Sequence, residues 1–380
     1  MFPAARDGKR GLVWPPKVAR RIAREFKVGW LLRAMRLGII GLPGAGKTSI
    51  FNALTGTDLP LGGHAAHVEV HTGVADIPDP RLESLNALYQ PRKTTHAQIT
   101  FGDVAGLGQD GSLSGELVNQ LAQWDGYLAI LRAFEDPLTA APPTPVQDLQ
   151  AMEAEFLLND LVRVEAHLER LAEDRQKGAR ELTELDQEAD LFQRLDQTLQ
   201  ADRPLRDQNL RDADRELVQG FGLITTKPLL VVQNLEEGKD AQPLATDQPS
   251  FALYGKLEAE LSQLQAEEAV GFRKEFGIAQ AGNEGLMAAC LDLLGVIRFY
   301  TVSESEVKAW LLPEGGTALQ AAGAIHSDMA RGFIRAEVIR WDDLVDFGGL
   351  SEARAAGKLR VEGKAYTPKD GEVIHIRFNV

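Results

Sequence analysis

The chain has 380 residues, 44% of them hydrophobic and 25% charged, with a formal net charge of −14. That length leads us to expect two or three domains with substantial cores, and the negative charge excludes a protein that coats nucleic acid with its whole surface. A single cysteine, Cys290, excludes an intramolecular disulfide. With no secretory signal, the cytoplasm is the expected compartment, and no apolar run approaches a membrane span, so no membrane partner is expected.

Residues 1–34 form a basic N-terminal extension: nine residues from Arg6 to Arg33 are Lys or Arg, against only Asp7 and Glu25. Three readings stand: a disordered basic arm for RNA or membrane, a transit-like peptide, or an upstream start that is not translated. Met35 is a natural start for the strand that follows.

The run Leu37 to Ile40 predicts a buried strand, and Ser49 to Leu54 a helix. Between them, Gly41-Leu42-Pro43-Gly44-Ala45-Gly46-Lys47-Thr48 fits G-x-x-x-x-G-K-[ST], the phosphate-binding loop. Strand, glycine turn and helix start are the order that chemistry needs. The backbone N–H groups close around phosphate oxygens, and the helix N-terminus adds partial positive charge. Lys47 then reaches the β- and γ-phosphates, and the Thr48 hydroxyl ligates Mg²⁺.

A segment with His64, His67 and His71 follows, and then a strand-like run from Val68 to Val74. It occupies the place of a GTPase-type first switch. The histidine spacing fits no zinc pattern. Next, Ile99 to Val104 reads as a strand ending in Asp103-Val104-Ala105-Gly106. Asp103 is expected to hold Mg²⁺ through water, and Gly106 to offer its N–H to a γ-phosphate. The next residue, Leu107, stands where a glutamine would orient the attacking water, so hydrolysis is expected to be slow or to use another group.

Tyr127 to Phe134 predicts a second buried strand and Pro228 to Asn234 a third, with residues 135–227 intervening. The third ends in Asn234-Leu235-Glu236-Glu237 rather than the Asn-Lys-x-Asp that reads guanine. A glutamate misplaces the carboxylate for guanine, and a mismatched buried site discriminates strongly, so ATP is expected over GTP. Phe251 to Glu258 would carry the last base-contacting loop.

Within the intervening stretch, Leu157, Leu161, Val164, Leu168 and Leu171 step by four and three, and Leu182, Leu185, Ala189, Phe192 and Leu199 repeat the pattern after Gly178. This predicts an antiparallel coiled-coil hairpin, with Glu165, Glu169, Arg170, Glu173 and Asp174 on a solvated face. From Arg298 short strands and turns predominate, with a helix over Ala318 to Ile325, as in a small ubiquitin-like α+β unit. The Asp370-Gly371 pair reads as a hairpin turn between strands. Lys358, Arg360, Lys364 and Lys369 cluster around Tyr366, with Arg331 and Arg335 upstream, either as an RNA-facing patch or as an ordinary solvated face.

Several of these motifs together resemble the Obg-like ATPase (YchF) family of translation-factor-related NTPases. They are Gly-Leu-Pro-x-x-Gly-Lys, Asn-x-x-Glu from Asn234 to Glu237, the leucine after Asp-x-x-Gly, and the run from Thr72 through Pro78-Asp79-Pro80-Arg81-Leu82. The tail is similar to the family's TGS domain in Gln320 to Gly323, Ile325-His326, Gly332 to Ala336, Gly357 to Tyr366 and Phe378 to Val380. The resemblance runs from Met35 to Val380. It implies an α/β chain with a P-loop G domain over residues 35–136 and 222–296, a helical coiled-coil insertion over 137–221 and a TGS domain over 297–380.

It further implies an ATPase that converts ATP and water to ADP and phosphate with Mg²⁺. Gly41 and the run Gly44, Ala45, Gly46, Lys47, Thr48 and Ser49 would hold the phosphates; Thr48 and Asp103 would hold the metal. Leu235 would contact adenine, flanked by Asn234 and Glu237. The implied partner is the ribosome, on its large subunit, with rRNA reached through the TGS and helical domains by a monomer. The chain departs from the family where Gly44 replaces an asparagine that serves as a monovalent-cation ligand, where His67 falls near the switch threonine, where Asn119 to Tyr127 is shortened, and where Ala129 replaces a histidine. These departures put catalysis in more question than binding. Two rival readings follow: a non-hydrolysing nucleotide-gated adaptor, and an Obg-type GTPase.

Overall fold

The computed structural model describes residues 35–60, 70–104, 113–136, 141–178, 180–241, 244, 246–275 and 282–379. Among them, residues 36–73 with 101–286 form one compact unit, and residues 74–100 with 287 onward form another.

In chain order, β1 (Met35–Ile40) runs through the glycine loop into α1 (Lys47–Thr55). Then come β2 (Val70–Asp76), α2 (Pro80–Tyr89), β3 (Lys93–Thr95) and β4 (Gln98–Val104). After α3 (Gly115–Leu121) and β5 (Gly126–Ala133), the long helices α4 (Pro145–Lys177) and α5 (Leu182–Gln200) rise, followed by α6 (Asp212–Gln219). Strands β6 (Leu229–Leu235) and β7 (Ser250–Leu253) precede α7 (Gly255–Ser262), α8 (Ala266–Glu275) and α9 (Gly282–Leu294). The tail holds β8 (Val296–Val302), β9 (Glu306–Pro313), α10 (Ala318–Ile325), α11 (Ser327–Arg331) and β10 (Phe333–Arg340). It closes with α12 (Trp341–Phe347), α13 (Leu350–Ala355), β11 (Arg360–Glu362) and β12 (Glu372–Phe378).

The first sheet has the order β2-β4-β1-β5-β6-β7. Strands β1, β5, β6 and β7 are parallel neighbours, so their carboxyl ends meet at one edge, where an open α/β sheet places its ligand. Covered on both faces, such strands read as unbroken apolar runs, as Leu229 to Val232 does. One core cluster joins Ile40 of β1, Leu131 of β5, Leu117 and Leu121 of α3, the indole of Trp124, and Met152 and Phe156 of α4. The arm is therefore rooted in the core of the first unit.

The arm is the expected helical hairpin. Pro145 opens α4 at a position where no N–H is needed, and Gly178, in the left-handed region, closes it. Val164, Leu191, Phe192, Leu195 and Leu199 form the seam, and the His167 ring sits between Phe192 and Phe221 at 4.3 and 4.4 Å. Leu182 is not part of it: at the first position of α5 it is 57% exposed, because the partner helix has already ended. At the base of the arm the fully buried Asp160 carboxylate accepts hydrogen bonds from Ile224 N (2.9 Å), Thr225 N (2.7 Å) and Thr225 Oγ1 (2.6 Å). A buried carboxylate needs such donors, and these tie α4 to the segment that enters β6.

The second sheet has the order β11-β10-β12-β8-β9-β3. Helix α10 lays Ala318, Ala321 and Ala322 on its core of Phe299, Leu312, Val338 and Ile374. Two findings differ from the sequence reading. Asp370-Gly371 is not a hairpin turn, because β11 and β12 both pair antiparallel with β10, which lies between them. The Asp370 carboxylate instead accepts from Arg298 N at 2.8 Å. And β3, from the segment between the glycine loop and Asp103, pairs in parallel with β9 as the edge strand of this C-terminal sheet.

Candidate nucleotide-binding site

The glycine loop leaves β1 at Gly41 and enters α1 at Gly46, whose φ of 85° is left-handed. A Cβ at Gly46 would lie 2.1 Å from Asn234 Nδ2, so both conformation and space demand glycine there. Ala45 and Ser49 are buried, whereas Gly44 stands clear, with nothing within 4 Å of where its Cβ would be.

Lys47 Nζ donates to the carbonyls of Gly41 (3.1 Å) and Leu42 (3.2 Å), inside the loop it would serve. Burial pushes the ammonium's pKa down, and the Asp103 charge opposes that shift. Thr48 Oγ1 donates to Asp103 Oδ2 at 2.7 Å, which brings together residues 55 positions apart. The other oxygen, Asp103 Oδ1, is buried without a hydrogen-bond partner. A hydroxyl and a carboxylate oxygen in need of a partner are hard donors that fit Mg²⁺. Trp124 fixes this geometry: its ring leaves no room for a Cβ on Gly102, which would lie 2.1 Å from the indole, so β4 passes close and sets Asp103.

Asn234 is buried, and both ends of its amide bond backbone. Nδ2 donates to Ala45 O (3.1 Å), and Oδ1 accepts from Gly255 N (3.0 Å). It therefore clamps the glycine loop and the start of α7 to the end of β6. Leu235, the last residue of β6, is half-buried, and Glu237 is exposed in the turn beyond. The Tyr254 hydroxyl donates to Lys239 O at 3.1 Å and closes that turn. Gly106, Leu107, His64 and His67 lie outside the described residues. Among the described residues no group of three or more His, Cys, Asp or Glu side chains gathers as a metal site.

Trp124 and Phe134 are parts that motif reading passes over. The Phe134 ring reaches 3.8 Å from the position of a Gly46 Cβ, just beyond β5. The basic patch of the C-terminal unit is smaller than its sequence. Arg360 is paired with Glu372 (2.5 Å) and Glu362 (3.3 Å), and Arg331 with Asp328, which leaves Lys358, Lys364, Lys369 and Arg335 exposed.

A parallel sheet with a glycine loop closed by Asn234, and Thr48 joined to Asp103, defines a P-loop NTPase of the G-domain kind, carrying a helical hairpin and a C-terminal TGS-type sheet. Residues 296–379 match the family model YchF-GTPase_C, described as a protein of unknown function (DUF933). The chain is 33% identical over 373 residues to the ribosome-binding ATPase YchF of Bacillus subtilis, covering 91% of this chain and 100% of that protein. It is 31% identical to the ribosome-binding ATPase YchF of Pasteurella multocida, covering 91% and 99%. The solved structure of the Schizosaccharomyces pombe YchF GTPase superposes with a TM-score of 0.79 at 26% identity, covering 92% of this chain and all of that one. The chain belongs to the YchF family.

Proposed function

We propose that the chain binds a nucleoside triphosphate at Gly41 and Gly44 to Ser49, prefers ATP to GTP, hydrolyses it slowly, and acts on the ribosome. The observation that carries the reading is the Thr48–Asp103 contact, with one Asp103 oxygen left in need of a partner. Thr48 and Asp103 would hold Mg²⁺, which would supply charge neutralisation for the bound phosphates. Lys47 exchanges two carbonyls for phosphate oxygens, which restores the charge partner that burial denies it. The loop amides, held in place by Asn234, stabilise the charge that develops on transfer. Nothing in Leu107 can orient water, which supports slow turnover.

Base preference rests on Leu235 and Glu237, which stand where a guanine site has lysine and aspartate. Relatives differ in the nucleotide they are named for: the bacterial proteins are called ATPases and the Schizosaccharomyces pombe one a GTPase. The bacterial names support a ribosomal partner. We extend this to a cytoplasmic monomer that contacts the large subunit and its rRNA through the exposed lysines of the C-terminal unit and the arm. No described helix is long and apolar enough to cross a membrane.

Leu107 also favours a second reading, an adaptor whose shape is set by nucleotide without turnover. Multiple-turnover phosphate release from ATP, abolished in Lys47→Ala, separates the two, and its absence leaves the adaptor. Sedimentation with ribosomal subunits in ATP-, ADP- and nucleotide-free conditions tests the partner. Failure to co-sediment in all three removes the ribosome from the proposal.

A further inference from the structure

We propose that one open sheet face of the C-terminal unit, built around Arg335 and Arg377, docks an acidic, partly apolar segment of a partner protein. The face lies wholly within that unit, and its use does not depend on the nucleotide site.

Strand β10 lies between β11 and β12 and runs antiparallel to both. Side chains directly opposite each other share a face, and the face alternates along each strand. Ala336 and Val338 stand opposite Ile376 and Ile374, and all four belong to the core. Arg335 and Glu337 therefore turn to the other face. Arg377 and His375 stand opposite them on β12, and Val361 stands opposite Glu337 on β11.

The charges on that face do not balance. Arg335 and Arg377 are directly across from each other, and like charges so placed weaken a sheet. The Glu337 carboxylate beside them is buried and already shared, with Arg354 of α13 at 2.9 Å and Arg377 at 3.2 Å. Arg335 is exposed, and among the described residues no carboxylate pairs with it. Burial, and after it the Arg377 charge, lower the pKa of His375 against the opposing pull of Glu337. Apolar side chains border the arginines. A register shift between Phe333 and Arg335 leaves Ile334 unpaired and 60% exposed; Val361 is 60% and Phe378 41% exposed.

Repulsion and exposed apolar groups kept in one place are local conflicts that folding alone does not call for, and a partner resolves both. Carboxylates and phosphates each fit a guanidinium fork. The aliphatic groups decide between them. Ile334 and Val361 cannot stack on a base or bond a sugar-phosphate backbone, but they gain by burial against apolar side chains. The sheet also ends at β11, which has no further neighbour among the described residues and offers its backbone to an extended peptide. A segment in which acidic and apolar residues alternate meets all three conditions.

The test is fluorescence anisotropy of a short labelled peptide of alternating glutamate and leucine, titrated with the full chain. A glutamate–serine peptide and an oligouridylate run beside it. Arg335→Gln breaks no ion pair among the described residues, so its melting temperature should hold or rise while peptide affinity falls about tenfold, the loss of one charge-assisted contact. Val361→Thr keeps a branched strand residue and should weaken the peptide about threefold. Lys364→Gln removes a charge outside these strands and should leave affinity within about twofold. The glutamate–serine peptide should bind the parent more weakly than the glutamate–leucine one. No binding by the parent overturns the proposal, and so does equal weakening by Arg335→Gln and Lys364→Gln. A lower melting temperature in Arg335→Gln means that the arginine serves the fold, which also overturns it. Oligouridylate that binds more tightly than the peptide, and is weakened as much by Arg335→Gln, makes the face an RNA surface instead.

Discussion

The glycine loop and the Asp79 cluster are both built from charged groups in partly buried places, and they treat those charges in opposite ways. In the loop, Lys47 makes do with two carbonyls, Asp103 keeps an oxygen without a donor, and burial lowers the lysine's pKa. In the cluster, burial would raise the pKa of Asp79, but hydrogen bonds from Arg81 and Tyr300 and the charge of Arg298 bring it below the usual carboxylate range. Tyr300 is pushed up, by burial and by its bond to Asp79. One region holds charge in want of a partner and is suited to receive a ligand. The other has spent its charge on itself and is suited to hold.

Removing a charge should therefore do opposite things in the two places. Asp79→Ala leaves two guanidiniums and a phenol without their shared acceptor and should destabilise the C-terminal transition in urea by about 3 kcal/mol. A loss under about 1 kcal/mol would mean that water replaces the carboxylate freely. The same cluster has a pH signature. Because the folded pKa of Asp79 is depressed, its contribution is complete above the unfolded value, near pH 4, and is lost as pH falls through the folded value. Acid-unfolding curves of the parent and Asp79→Asn should thus converge at the lowest pH and stand fully apart above about pH 4.

Lys47→Ala should leave stability nearly unchanged and cost about 100-fold in nucleotide affinity, since charge-assisted hydrogen bonds to phosphate are what it removes. Asn234→Ala falls between the regions: it orphans Ala45 O and Gly255 N and should cost about 2 kcal/mol of stability in urea unfolding. Because the amide binds backbone at both ends, the ratio of ATP to GTP affinity should stay within about twofold, measured by competition. Arg360→Gln should have the smallest effect, about 1 kcal/mol or less, because its guanidinium is half-exposed and Tyr366 and Lys369 N still serve Glu372.

What the sequence disclosed follows the range of the interactions. The loop was legible because strand, glycines, Lys47 and Thr48 lie within a few residues and each has one physical duty. The hairpin was legible because Val164 and Leu171 repeat with the helix, although Leu182 shows that periodicity cannot tell where a partner helix ends. Asp370-Gly371 misled because a turn signal is local, while the pairing of β10 with both its neighbours is not. The cluster of Asp79, Arg298, Tyr300 and Asp370 and the pairing of β3 with β9 join residues more than 200 positions apart, and no spacing rule reaches that far. Arg360 looked like part of a free basic patch because charge counts do not register a buried Glu372 beside it.

The most direct measurement is calorimetric titration of ATP and of GTP, each with Mg²⁺, into the full chain and into Lys47→Ala. Both nucleotides are expected to bind the parent, ATP the tighter, and both to bind the variant about 100-fold more weakly. Undiminished affinity in Lys47→Ala, or no binding by the parent, would contradict the assignment of the glycine loop; GTP binding tighter than ATP would contradict the reading of Leu235 and Glu237.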